Sequence, residues 1–78
     1  MRECYVSFAS ATEVHEFVTL ATKQLFSVRV EVENRSTDAK SIMGLFSMGL
    51  HRPLRVSIAD AGVDATHFFS ALQPYLVG

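Results

Sequence analysis

The sequence predicts an α+β fold: a β-α-β-β-α-β-α open-faced sandwich, in which three helices cover one face of a four-stranded antiparallel sheet. Three observations predict it. Apolar positions switch along the chain between a period of two and a period near 3.6, so short strands alternate with helices. A chain of 78 residues, 49% apolar and 19% charged, can fill one core and is too short for a second domain. Segment 27–33 sets valines on one side and charges on the other, the pattern of a sheet with one face in water.

The elements follow in order. Residues 3–8 place Cys4, Val6 and Phe8 on one face of a strand, with Tyr5 and Ser7 opposite. Cys4 then reads as a small core residue and not as a reactive thiol. Ser10-Ala11-Thr12-Glu13 matches the capping box S-x-x-E, in which a hydroxyl and a carboxylate satisfy free N–H groups at a helix start. Behind it Val14, Phe17, Val18, Ala21 and Leu25 recur at helical spacing, so a helix runs from about residue 11 to residue 24. In the strand 27–33, Val28, Val30 and Val32 point one way, and Arg29, Glu31 and Glu33 the other.

Asn34-Arg35-Ser36 reads as a turn and residues 36–40 as a short returning strand. Ser41 opens an apolar stretch from Ile42 to Met48, and Gly49 stands where a helix C-terminal glycine belongs. His51-Arg52-Pro53 is a loop. Leu54, Val56 and Ile58 alternate with Arg55 and Ser57 over a strand at 54–60. Gly62 marks a turn and Asp64 a helix cap. Phe68, Phe69, Leu72 and Leu76 line the last helix, which Pro74 should end or kink near Gln73, because proline offers no N–H to the ladder.

Composition narrows the function. Seven basic and eight acidic residues give a net charge of −1, so there is no cationic excess to neutralise phosphates and no direct nucleic-acid partner is expected. No apolar run approaches the ~20 residues of a membrane span. Met1-Arg2-Glu3-Cys4 does not lead into the apolar run of a secretory leader. The single cysteine has no partner for an internal disulfide, which fits a reducing compartment. These features predict one soluble cytoplasmic domain over residues 1–78 with no membrane partner; no metal, cofactor or enzymatic activity of its own is expected.

One segment carries a specific resemblance. Ala39-Lys40-Ser41-Ile42-Met43-Gly44-Leu45-Phe46-Ser47-Met48-Gly49-Leu50 closely resembles the regulatory-serine segment of HPr, the histidine-containing phosphocarrier of the bacterial sugar phosphotransferase system. The Ser-Ile-Met-Gly form is that of the Gram-positive proteins. Phe17-Val18, Lys23, the Val28–Glu33 strand and Gly62-x-Asp64 fall at family-like positions without a gap. The resemblance covers nearly the whole chain, and it implies the strand order of HPr.

It is weakest where the family's chemistry sits. The carrier motif is Gly-Leu-His-x-Arg-Pro, and Phe8-Ala9-Ser10-Ala11-Thr12-Glu13 lies over it. Ser10 replaces the phosphorylated histidine, Thr12 the arginine that steadies the phosphate, and Glu13 the proline at the helix start. A relay needs an imidazole nitrogen, because a phosphoramidate is labile and a serine phosphate is a stable ester. The cationic fork is gone. Glu13 places a negative charge at the helix N-terminus, which otherwise favours anions. The carrier site therefore reads as degenerate.

Ser41 remains. The resemblance implies phosphorylation by an HPr kinase/phosphorylase and later binding to a catabolite-control transcription regulator, with enzyme I a lesser partner. The hydroxyl also reads as a helix N-cap, a contribution of ~1 kcal/mol. Ile42, Met43, Phe46 and Met48 form the partner-binding patch, since one short helix cannot bury them all together with Leu45. Lys40 and Arg52 flank the segment, as phosphate partners or as solvated surface cations. The leading reading is a regulatory module of sugar transport or catabolite repression that lacks the carrier histidine. One alternative is a working carrier that uses His15, otherwise an exposed helix residue, or His51, which the resemblance sets on the rim of the carrier site. His67 is expected to face solvent. The other alternative is a divergent paralogue that acts only as an interaction domain.

Overall fold

The computed structural model describes residues 3–60 and 62–77. Four strands and three helices follow one another as β1 (Glu3–Val6), α1 (Ala11–Thr22), β2 (Arg29–Val32), β3 (Arg35–Asp38), α2 (Ile42–Met48), β4 (Leu54–Ser57) and α3 (Thr66–Ala71), closed by a 3-10 turn at Gln73–Tyr75. The sheet order is β1-β4-β2-β3, and every neighbouring pair is antiparallel. β4, late in the chain, inserts between the first two strands and knits the two ends of the sequence together.

Register explains the two faces. Cys4, Val56, Val30 and Thr37 stand opposite one another across the four strands, and so do Tyr5, Arg55, Glu31 and Ser36. The first row turns toward the helices, where Val30 and Val56 are fully buried. The second faces water. There Arg55 bonds Glu31 at 2.6 Å and lies 3.6 Å from Glu3. The guanidinium hydrogen bond holds the Glu31 carboxyl below its usual range.

Between sheet and helices lies an aromatic core. The Phe8 ring packs on Phe17 at 5.2 Å and on Tyr75 at 5.7 Å, and Phe17 continues to Phe68 at 6.2 Å. Such tilted and edge-to-face pairs add to the stabilisation from area burial alone.

Several expected boundaries shift. α1 ends at Thr22, capped by Lys23, so Leu25 lies beyond the helix and is fully exposed, although its spacing suggested the core. Phe26 packs edge-on against Phe68 from the following loop and Val28 is fully buried, so these two residues reach the core instead. The β2–β3 turn is Glu33-Asn34, one residue earlier than Asn34-Arg35-Ser36. Glu33 takes the positive φ of 55° that the reversal needs. Arg35 therefore joins β3 and donates to the Ser47 carbonyl of α2. Cys4 is half-buried rather than fully enclosed, and partial burial pushes its thiol pKa up, away from reactive thiolate. Gly49 ends α2 at φ 95°, as its position predicted.

At the far end, Asp64 caps from one residue further out than the helix start requires. Its Oδ1 accepts from Thr66 N at 3.0 Å and Thr66 Oγ1 at 2.7 Å. α3 stops at Ala71, and Pro74 sits inside the 3-10 turn. Leu76 has left the helix. It bridges Val6, while Ser7 N–H donates to Tyr75 O and Val77 N–H to Tyr5 O. The chain end thus covers the outer edge of β1.

Candidate functional site: two helix starts and an apolar patch

The mouth of α1 is built by its own residues. Ser10 is extended at φ −158°, and its Oγ accepts from Glu13 N at 3.3 Å. Glu13 Oε1 reaches back to Ala9 N–H at 2.9 Å. The capping box read from the sequence is formed, with Ala9 rather than Ser10 as the backbone donor to the carboxylate. Thr12 is exposed on the first turn. The residue facing out of this mouth is a hydroxyl already engaged in a cap, and the nearest charge is negative.

Histidines approach from two directions. His51 N–H donates to Phe8 O at 2.9 Å, so the loop after α2 passes beside the α1 mouth. His51 adopts a positive φ of 61° to do so. His15, just over one turn along α1, is exposed and meets the Phe46 ring edge-on at 6.0 Å. His67 faces solvent on α3.

Ser41 starts α2. Its backbone N–H donates to Asp38 O at 3.0 Å, which fixes the entry from β3. Its Oγ accepts from Gly44 N at 3.1 Å, the N-cap bond. The residue is half-buried. Gly44 is needed here: a Cβ on it would collide with Thr37 Oγ1 of β3 and come within 3.1 Å of Ser41 Oγ.

The expected patch divides. Met43 is 79% exposed and Phe46 42%, three residues apart on one helical face beside His15. Ile42 is half-buried and packs against the core edge. Met48 is not part of the patch. It is 2% exposed and lies in the core with Leu45, because α2 turns that face toward the sheet. Leu50, 38% exposed just past Gly49, is one apolar residue near this region that periodicity missed.

The flanking cations are committed. Lys40 Nζ donates to Gln24 O at 2.9 Å, closing the loop after α1, and Arg52 pairs with Glu33 at 2.6 Å. Arg52 and Glu33 form an exposed surface ion pair, and neither cation is bonded to Ser41. Tyr75 is another residue that sequence reading passed over. Its phenol donates to Glu16 Oε1 at 2.7 Å, and burial with that neighbouring carboxylate pushes its pKa up to about 12. The signal for it was an aromatic directly after Pro74, beyond the apolar stripe of the last helix.

No cluster of His, Cys, Asp and Glu able to hold a metal occurs among the described residues, and no helix there is long and apolar enough to cross a membrane.

Comparisons with known proteins agree with this architecture. The crystal structure of HPr-C-His from Thermoanaerobacter tengcongensis superposes with a TM-score of 0.75 at 27% identity, over 95% of this chain and 89% of that one. A phosphocarrier protein HPr from Bacillus anthracis superposes with a TM-score of 0.73 at 24% identity, over 96% and 95%. No curated protein sequence matches significantly. The model of the PTS HPr component phosphorylation site family matches residues 10–77, from the cap of α1 to the strand-like chain end. A match of that extent, on an open-faced sandwich shared with HPr structures, places this chain in the PTS HPr family.

Proposed function

We propose that this protein is a regulatory member of the family that signals through Ser41 and does not relay phosphoryl groups. The observation that carries this reading is the state of the α1 mouth. Ser10 spends its hydroxyl on Glu13 N–H, and Glu13 spends its carboxylate on Ala9 N–H. One N–H at this mouth is thus held by an internal carboxylate and another by the cap hydroxyl, and the Glu13 charge opposes a second anion there. Ser41 is a half-buried N-cap of the same kind, bonded to Gly44 N–H, but it has no acidic residue in the first turn of its helix and stands beside the exposed side chains of Met43 and Phe46.

In the proposed reaction, Ser41 Oγ attacks the γ-phosphorus of ATP on an HPr kinase/phosphorylase. Its proton passes to a base on that enzyme, the γ P–O bond breaks, and ADP leaves. The ester adds about −1.5 to −2 charges beside exposed apolar side chains, with little change of fold. A catabolite-control transcription regulator then reads the altered surface. The protein would carry no enzymatic activity of its own and would act in the cytoplasm.

Incubation of the purified protein with HPr kinase/phosphorylase and ATP should place one phosphate on Ser41, located by mass spectrometry, and Ser41→Ala should take none. An unlabelled Ser41 overturns the reading. A second reading keeps the relay: His51 is tied to Phe8 beside the mouth, and His15 is exposed on the same helix. Phosphoenolpyruvate and enzyme I should then yield an acid-labile phosphohistidine. If both experiments are blank, the protein is an interaction domain alone.

A further inference from the structure

We infer that Thr37 is a second contact for a phosphate on Ser41, supplied by the sheet edge. This rests on the reading of Ser41 as the modified residue. Thr37 stands opposite Val30 on the helix-facing side of β3, where α2 packs against the strand. Its Oγ1 occupies the space that a Cβ on Gly44 would need, and Ser41 Oγ lies 3.1 Å from that same point. The two hydroxyls therefore flank a single position over the first turn of α2. The Ser41 hydroxyl is committed to Gly44 N–H. The Thr37 hydroxyl makes no hydrogen bond to any described residue. Every fully buried side-chain N or O atom among those residues has a partner, so this unpaired oxygen keeps access to solvent.

A phosphoryl group on Ser41 extends past the ester oxygen and brings three acceptors into this space. Thr37 Oγ–H can donate to one of them without leaving its strand, because a hydroxyl proton rotates freely. Of the cations that flank α2 in sequence, Lys40 is drawn to Gln24 O, and Arg52, packed against Gly49 at the other end of the helix, pairs with Glu33. Thr37 is thus a side-chain donor beside the site with no other partner among the described residues. A donor to the dianion favours the ionised form and lowers the second ionisation of the phosphate.

The test uses the full chain with phosphoserine installed at position 41 during translation, so it needs no kinase. Phosphorus NMR titration should give a second ionisation ~0.5 pH units lower in the parent than in Thr37→Val, with Thr37→Ser restoring the lower midpoint. Thr37→Ala replaces Thr37→Val in the comparison if the latter fails to fold. Coincident titrations of parent and hydroxyl-free variant overturn the inference. Failure of a kinase to label Ser41 would overturn the functional reading and leave this titration interpretable.

Discussion

The phenol of Tyr75 donates a 2.7 Å hydrogen bond to Glu16 Oε1, joining residues 59 positions apart and tying the chain end to the first helix. Burial and the adjacent carboxylate both disfavour the phenolate, so Tyr75 titrates near 12 instead of its ordinary 10. A folded-state pKa raised above the unfolded value stabilises the fold below the unfolded value. That contribution is complete below pH 10 and disappears as pH rises toward 12. The thermal midpoint should therefore fall more steeply above pH 10 in the parent than in Tyr75→Phe. At neutral pH, Tyr75→Phe should cost about 1 kcal/mol, one hydrogen bond, measured by urea unfolding.

The α1 capping box makes a separate stability prediction. Ser10→Ala should destabilise by about 1 kcal/mol, because Glu13 N–H loses its acceptor at the helix start. Labelling of Ser41 by kinase and ATP should be unchanged in this variant. A labelling defect would mean that the two helix starts act as one site.

Gly44 tests the packing of α2 on β3. Gly44→Ala drives a methyl into Thr37 Oγ1 and should cost about 1–3 kcal/mol. Pairing it with Thr37→Ala should recover part of that loss, although Thr37 Cβ remains 3.0 Å from the new methyl. A double-mutant cycle read by denaturant unfolding measures the coupling.

The two methionines of α2 should separate stability from binding. Met48→Ala opens a hole in the core and should cost about 2–5 kcal/mol. Met43→Ala, on the exposed face, should stay within about 0.5 kcal/mol of the parent. Titration calorimetry with the kinase should show weaker binding for Met43→Ala and for Phe46→Ala.

Glu31 carries an acid-side signature. The Arg55 hydrogen bond lowers its carboxyl pKa, so its contribution is present above the usual carboxylate range and fades as pH falls through the lowered value. Carbon-detected NMR titration should find the Glu31 midpoint low in the parent and raised in Arg55→Gln.

Much of the fold was legible because local patterns and tertiary demands agree. The alternation of Val28, Val30 and Val32 with charged residues marks a half-buried strand, and Ser10 and Glu13 mark a helix start from short-range hydrogen bonds alone. Leu25 misled because helical spacing persists past Thr22 while the chain has already turned, with Gln24 N–H on Ala21 O and Lys40 on Gln24 O. Met48 misled for the converse reason. Periodicity shows that α2 has too many apolar residues for one face, but the choice among them depends on how the helix is rotated on the sheet.

The amino-acid order by itself determined the strand and helix sequence, the capping box of α1 and the replacement of the carrier histidine by Ser10, since each is set by neighbours within a few residues. Only the tertiary structure decided that His51 passes beside Phe8, that Thr37 and Ser41 share the space over Gly44, and that Lys40 and Arg52 are already engaged. Those relations come from residues far apart in sequence, brought together when β4 inserts between β1 and β2 and the helices close over one core.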